Sequence, residues 1–244
     1  MTDDLSTLLA NSGNFLSGLQ ITLLATVLGA LLMFLLSVVL GLMARSQRLL
    51  VRGSARTVIE FFRGTSLLVQ LWWLFYALPL LGLKFEPLLC GVLALGLNYG
   101  AYGAEVVRGS INAVPPPQWE AAIALNLSRW RRMRRIIWPQ AVALMIPSFN
   151  NLFIQLLKST PLLFTITLTD LMFVGESLRL AGGDEAVIYT ALLLMYLVLT
   201  YAFTLLFSVA EIRANKRLGR HEGLASVFRS MRTTRAADEE ARTV

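Results

Sequence analysis

Five apolar stretches, each long enough to cross a bilayer or nearly so, constrain this 244-residue chain more than any other feature. A spanning helix needs roughly 20 predominantly apolar residues, because backbone polar groups surrounded by lipid must be satisfied within the segment. The stretches lie at about residues 16–44, 57–82, 88–107 and 186–210, with a more polar one at 139–157 whose apolar character continues to about 168. A hydrophobic fraction of 56% exceeds the roughly 45–50% of ordinary soluble domains. The expectation is an all-α integral membrane fold of five transmembrane helices, with one membrane domain over residues 1–212. Residues 213–244 form a charged tail whose mixed polar composition predicts disorder. The first stretch is expected to be retained: only Asp3 and Asp4 are charged before it, and it exceeds the roughly 7–15 apolar residues of a signal peptide core.

The net charge of +7 invites a nucleic-acid reading, but the placement of the charges argues against one. Arg45, Arg48, Arg52 and Arg56 follow the first stretch. Arg108, Arg129, Arg131, Arg132, Arg134 and Arg135 lie between the third and fourth, and Arg213, Lys216, Arg217 and Arg220 follow the fifth. The alternate loops hold Lys84 and Arg179 among Glu86, Asp170, Glu176, Asp184 and Glu185. Basic residues concentrate in cytoplasmic loops, so this alternation predicts an external N-terminus and a cytoplasmic C-terminus. Membrane lipid, not nucleic acid, is the surrounding it implies. One cysteine, Cys90, and one histidine, His221, exclude an internal disulfide and leave no metal spacing. No cofactor and no catalytic residue is expected.

Within the stretches, small and polar residues mark where helices meet. Ala25 and Gly29 in the first, and Gly96, Gly100 and Ala104 in the third, repeat at four-residue spacing, which lets another helix approach closely in lipid. Glu60 with Arg63, and Glu105 with Arg108, sit one turn apart and can pair. Trp72, Trp73, Phe75 and Tyr76 before Pro79 read as an interfacial aromatic belt. The fourth stretch crowds Asn150, Asn151, Gln155, Lys158, Ser159 and Thr160 into its second half before Pro161 interrupts it. Polar groups at membrane depth are costly and normally face a bundle interior or an aqueous path.

Between the third and fourth stretches lies a short helix-forming segment in arginine-rich surroundings. Pro115, Pro116 and Pro117 end the preceding helix, and Pro117 suits the first position of a new one. Glu120 then falls in the first turn, where its charge favours the positive end of the helix dipole. Asn126 can take the left-handed conformation that closes a helix, and Ser128 can cap the next one, running to Trp138. Two helical turns are marginal alone in water. An apolar face of Ala121, Ala122 and Leu125 therefore predicts docking into a partner's groove.

Glu120-Ala121-Ala122, then Asn126, Ile136 and Pro139, resembles the EAA loop of bacterial ABC importer permeases: E-A-A, three residues, G, nine residues, I, two residues, P. Glu60-Phe-Phe-Arg-Gly-Thr65, Tyr102-Gly-Ala-Glu-Val-Val-Arg-Gly109, Leu156-Leu-Lys-Ser-Thr160 and Asp170-Leu-Met-Phe are similar to the polar amino acid (His/Glu/Gln/Arg/opine) branch. The similarity covers roughly residues 15–212. Pro117 and Asn126 stand where the family commonly has glycine, and Ser66 and Pro161 where proline and serine are commoner.

The resemblance implies a non-enzymatic permease subunit that pairs with an identical or paralogous second permease subunit. It also implies a cytoplasmic ABC ATPase dimer, bound through a coupling helix between helices 3 and 4, and an extracytoplasmic solute-binding protein. Gln118, Trp119, Glu120, Ala121, Ala122, Leu125 and Asn126 are the implied ATPase-docking residues. Asn151, Gln155, Lys158 and Thr160 are the candidates for lining a path for a polar amino acid, or for an opine or ectoine-type compatible solute. A stand-alone secondary transporter would carry an inverted repeat, which the sequence lacks. An intramembrane hydrolase would need a nucleophile with a nearby base, and none is spaced for it.

Overall fold

The computed structural model describes residues 11–217, with side chains placed through residue 208. The tail from residue 218, including His221, lies outside the described residues. Among the described residues all regular structure is helical. In chain order these are α1 (Ser12–Met43), α2 (Leu49–Gly64), α3 (Leu67–Trp72), α4 (Pro87–Asn112), α5 (Pro116–Ala124), α6 (Arg129–Arg132), α7 (Trp138–Ser159), α8 (Leu171–Leu180) and α9 (Glu185–Arg217).

The frame is the parallel pair α1 and α4. Its closeness follows from the small residues that both helices bring to the seam. A Cβ added at Gly96 would lie 2.5 Å from Leu32 Cδ2, one at Gly100 2.9 Å from Leu36 Cβ, and one at Gly41 2.8 Å from the Ala104 carbonyl oxygen. Ala25 and Ala104 are fully buried in the same contact region, as the four-residue spacing predicted. The hydroxyls buried there need no outside partner. Ser37 Oγ donates to the Met33 carbonyl at 2.6 Å, and Thr26 Oγ1 to the Thr22 carbonyl at 2.7 Å.

Parallel α1 and α4 require a return crossing between them, and here the structure departs from the sequence expectation. The stretch at 57–82 is not one helix. It is a pair, Leu49–Gly64 and Leu67–Leu81, bent by 102° at a short break. The first member is amphipathic: Ala55 and Ile59 are buried with Ala44 and Ala104, while Arg56 and Glu60 are exposed. The break leaves backbone carbonyls without helical donors, which is tolerated at membrane depth only where protein satisfies them. Gln70 and Asn98 do so. Gln70 Nε2 donates to the Phe62 carbonyl at 3.0 Å and to Thr65 Oγ1 at 2.6 Å, and Asn98 Nδ2 donates to the Phe62 carbonyl at 3.0 Å.

The fourth crossing runs from α6 through a π-helical turn (Met133–Ile137) into α7, then into a 3-10 segment (Thr160–Ile166) begun by Pro161. The fifth is α9, which extends past the expected end at 210 and takes Arg213, Lys216 and Arg217 out of the expected disordered tail. Among the described residues four continuous segments are long and apolar enough to cross a membrane, five if the bent pair counts as one span.

Helix α8, unforeseen in the sequence, packs at the end of the molecule opposite the arginine-rich loops. Asp170 caps it: Oδ1 accepts from the Phe173 backbone N–H at 2.9 Å, while the Leu171 N–H donates to Thr22 Oγ1 of α1 at 3.0 Å. Asp170 is fully buried, and desolvation pushes its carboxyl up to about 7 against the pull of its backbone hydrogen bonds.

Candidate functional site

Two features bear on function: the short helix α5 and a polar stripe along α7. Pro116, with Pro117 behind it, opens α5, one residue earlier than the sequence suggested. Its C-terminus closes as expected. Asn126 has φ +52°, the left-handed region, the Asn126 N–H donates to the Ile123 carbonyl at 2.9 Å, and the Leu127 N–H donates to the Ala122 carbonyl at 3.1 Å. That pair of bonds is a Schellman closure, which asparagine supports when glycine is absent. Ser128 Oγ then accepts from the Arg131 N–H at 3.4 Å, starting α6.

The orientation of α5 corrects the expected docking face. Ala122 is fully buried inside this chain, and Trp119 turns inward onto the cluster formed by Val107, Ile111, Val114 and Ile137. The guanidiniums of Arg45, at 5.6 Å, and Arg132, at 5.8 Å, both lie over the Trp119 ring, cation–π contacts that seat α5. Burial and the nearby Arg108 hold the Arg45 guanidinium below its ordinary pKa. Gln118 Oε1 accepts from Gln140 Nε2 at 3.4 Å. Ala122 and Trp119 thus pack inward, while Gln118, Glu120, Ala121, Ile123, Ala124, Leu125 and Asn126 stay exposed, with Trp130 beyond. Ile123 is 58% and Leu125 71% exposed, so the open face is larger and more apolar than the alanines alone implied. Ile123 escaped the sequence reading, although its place one turn after Glu120 was a usable signal. Arg129 Nη1 donates to Gln47 Oε1 at 2.9 Å, tying α6 to the loop after α1.

On α7, Asn151, Gln155 and Lys158 are exposed at spacings of four and three, so they share one face. Thr160 does not join them. It is fully buried and its hydroxyl donates to the Leu157 carbonyl at 2.8 Å, because the 3-10 segment begun there turns it into the core. One flank of α7, with Leu152 and Leu156, packs into the main core beside Ala25, Met33 and Leu95. Beside the stripe, Tyr99 OH donates to the Gln155 carbonyl at 3.1 Å and shares a 2.6 Å hydrogen bond with Ser159 Oγ. Tyr102, one turn along α4, is part-exposed and carries the Arg63 guanidinium 5.3 Å above its ring. The expected ion pairs form: Glu60–Arg63 at 3.5 Å and Glu105–Arg108 at 2.5 Å. Two members of the aromatic cluster do more than mark an interface. Trp72 Nε1 donates to Thr165 Oγ1 at 3.0 Å and Tyr76 OH to the Thr165 carbonyl at 2.8 Å, tying the bent pair to the 3-10 segment.

Residues 35–216 match the family model described as the binding-protein-dependent transport system inner membrane component. The chain is similar to a probable amino-acid ABC transporter permease, y4tF, of Sinorhizobium fredii: 47% identity over 210 residues, 82% of this chain and 87% of that one. It is 34% identical over 205 residues to the octopine transport system permease OccM of Rhizobium radiobacter, covering 80% and 84% of the two chains. Among solved structures it is similar to an amino acid ABC transporter crystallised with histidines, with a TM-score of 0.80, 33% identity, and 85% and 97% coverage. A helical bundle with a short ordered helix beside its arginine-rich loops, a polar stripe on one inner helix and these likenesses lead to one statement. The chain belongs to the binding-protein-dependent transport system inner membrane component family.

Proposed function

We propose that this inner-membrane permease subunit forms half of the translocation path of an ATP-driven importer for a polar amino acid or a similar zwitterionic solute, opines included. The functions of the similar proteins support the solute class. In this reading the N-terminus is outside and the C-terminus cytoplasmic. The positive-inside alternation supports that topology. So does the clustering of Arg45, Arg129 and Arg132 around α5 at one end.

The carrying observation is the open face of α5. Glu120, Ala121, Ile123 and Leu125 present a short apolar surface with one carboxylate, held on an anchored helix with both ends closed. It fits the groove of a cytoplasmic ATPase, one α5 per subunit of an ATPase dimer, and it transmits the rocking of that dimer to α7 through the π-helical turn. Gln118, Trp119, Ala122 and Asn126 position this face rather than touch the partner. A second permease subunit covers the Asn151–Gln155–Lys158 stripe and completes the path, and a solute-binding protein delivers from outside. Lys158 suits a carboxylate, and the two amides suit either end of a zwitterion.

The decisive experiment is solute-stimulated ATP hydrolysis by the reconstituted assembly. Leu125→Asp and Glu120→Lys should leave the permease folded but lower stimulation at least tenfold and weaken ATPase co-purification. Full stimulation in both variants would remove α5 from the coupling interface.

A further inference from the structure

A concavity lies on the side of α7 away from the polar stripe. It has a volume of about 470 Å³ and runs between α1, α7 and α9. At about 100° per residue, Val142, Phe149 and Phe153 point roughly opposite to Asn151, Gln155 and Lys158. Ala30 and Phe34 of α1 and Phe207 of α9 close the other walls. Only Asn150 and the indole of Trp138 bring polar groups to the lining, and the groove is open along its side. Leu31 and Phe34 on its lip are 63% and 56% exposed. If the stripe faces the path, this groove faces lipid. Its volume falls in the range of pockets that hold extended organic ligands.

One end of the groove is chemically distinct. Trp138 lines it there, Arg134 lies one turn earlier, and Arg135 follows it. Both arginines are exposed, and neither has an ion-pair partner among the described residues. Arg134, four residues before Trp138, lies beneath the same side of the helix, and Arg135 adjoins it around the turn. An aliphatic channel ending in an indole and two free guanidiniums matches an amphiphile with a long hydrocarbon chain and an anionic head, because arginine binds phosphate oxygens through paired donors. We propose that the groove is a binding site for one acyl chain of an anionic phospholipid, whose phosphate sits at Arg134 and Arg135. The assignment to the cytoplasmic leaflet rests on the topology proposed above; the site itself does not.

The test is native mass spectrometry of the full permease assembly extracted from vesicles holding equal phosphatidylglycerol and phosphatidylcholine. The signal is the bound lipid that Val142→Trp, which fills the groove, removes. In the unsubstituted protein that lipid should be phosphatidylglycerol in roughly 30-fold excess, about fivefold per arginine. Arg134→Gln with Arg135→Gln, both surface changes, should bring the ratio close to one. Equal retention of the two lipids, or a ratio unchanged by the double substitution, overturns the proposal. So does a photoreactive group at Leu31 that crosslinks to a second copy or to residues 1–10 instead of lipid. An impermeant thiol reagent applied to intact cells carrying Arg131→Cys separates the two readings. Labelling from outside, with the lipid signal intact, would overturn the topology and keep the site.

Discussion

Helices α4 and α9 both cross the membrane, yet they obey opposite rules. The most apolar window of α4 has a mean hydropathy of 1.2 and is 61% buried, while that of α9 has 2.1 and is 6% buried. In a soluble protein the more hydrophobic helix would be the inner one. Here lipid is as apolar as any core, so hydrophobicity does not select the interior. Close packing and hydrogen bonding do. Helix α4 is inside because Gly96, Gly100 and Gly103 let α1 in and because Asn98 and Tyr99 have partners there. Helix α9 touches the rest mainly through Ile188 and Leu192 at its start, and through Phe203 and Phe207 against Phe153.

The sharpest way to break this comparison is at the seam. A Cβ at Gly103 would collide with Ser37 Oγ. Gly103→Leu should therefore cost more than about 3 kcal/mol and abolish the monodisperse permease peak on size-exclusion chromatography. A well-folded Gly103→Leu protein would mean that glycine is not what brings α1 and α4 together. Ala122→Arg should fail in the same way, since it places an unpaired charge where Ala122 has no exposure. Its loss would appear as missing protein, unlike the uncoupling expected of Leu125→Asp.

Lys158→Ala should reduce solute uptake about tenfold in reconstituted vesicles with little change in thermal stability, and Thr160→Val should do the reverse. Equal uptake defects in the two variants would contradict the division between stripe and core.

Asp170 gives a pH-dependent effect. Its carboxyl titrates at about 7 in the folded protein against an ordinary value of 3.8. The folded state thus holds the proton more tightly, and its stabilising contribution is present at low pH and lost as pH rises. Stability should fall between about pH 4 and 7, at up to roughly 1.4 kcal/mol per pH unit from this group alone. Asp170→Asn keeps a capping oxygen and should flatten that slope in thermal unfolding measured across the window. At the other extreme Leu193, 65% exposed on α9, should tolerate substitution by alanine within about 0.5 kcal/mol. A larger cost would show that a second subunit covers α9.

Much of the local structure was legible in the sequence. The proline run and Asn126 bounded α5 because proline and left-handed asparagine are backbone constraints that act without neighbours. Ser128 capped as expected, and Glu105 found Arg108 one turn away. The break at residues 64–67 was not legible. No proline or glycine pair at that point demands a 102° bend, and its stability comes from Gln70 and Asn98, the latter 36 residues from Phe62. Helix α8 was hidden because its length falls short of a crossing and it sits beside a longer apolar run.

What the sequence determined by itself was an all-helical chain of four to five apolar spans, the distribution of charge along it, and the start and stop of the short helix. These follow from transfer of side chains into lipid and from single-residue backbone preferences. Only the tertiary structure decided the rotation of each helix about its axis. That rotation put Ala122 and Thr160 inside, left Ile123 and Leu125 outside, and set the polar stripe of α7 back to back with an apolar groove. In a chain so uniformly apolar, hydropathy barely distinguishes one helix face from another, and steric fit between neighbours makes the choice.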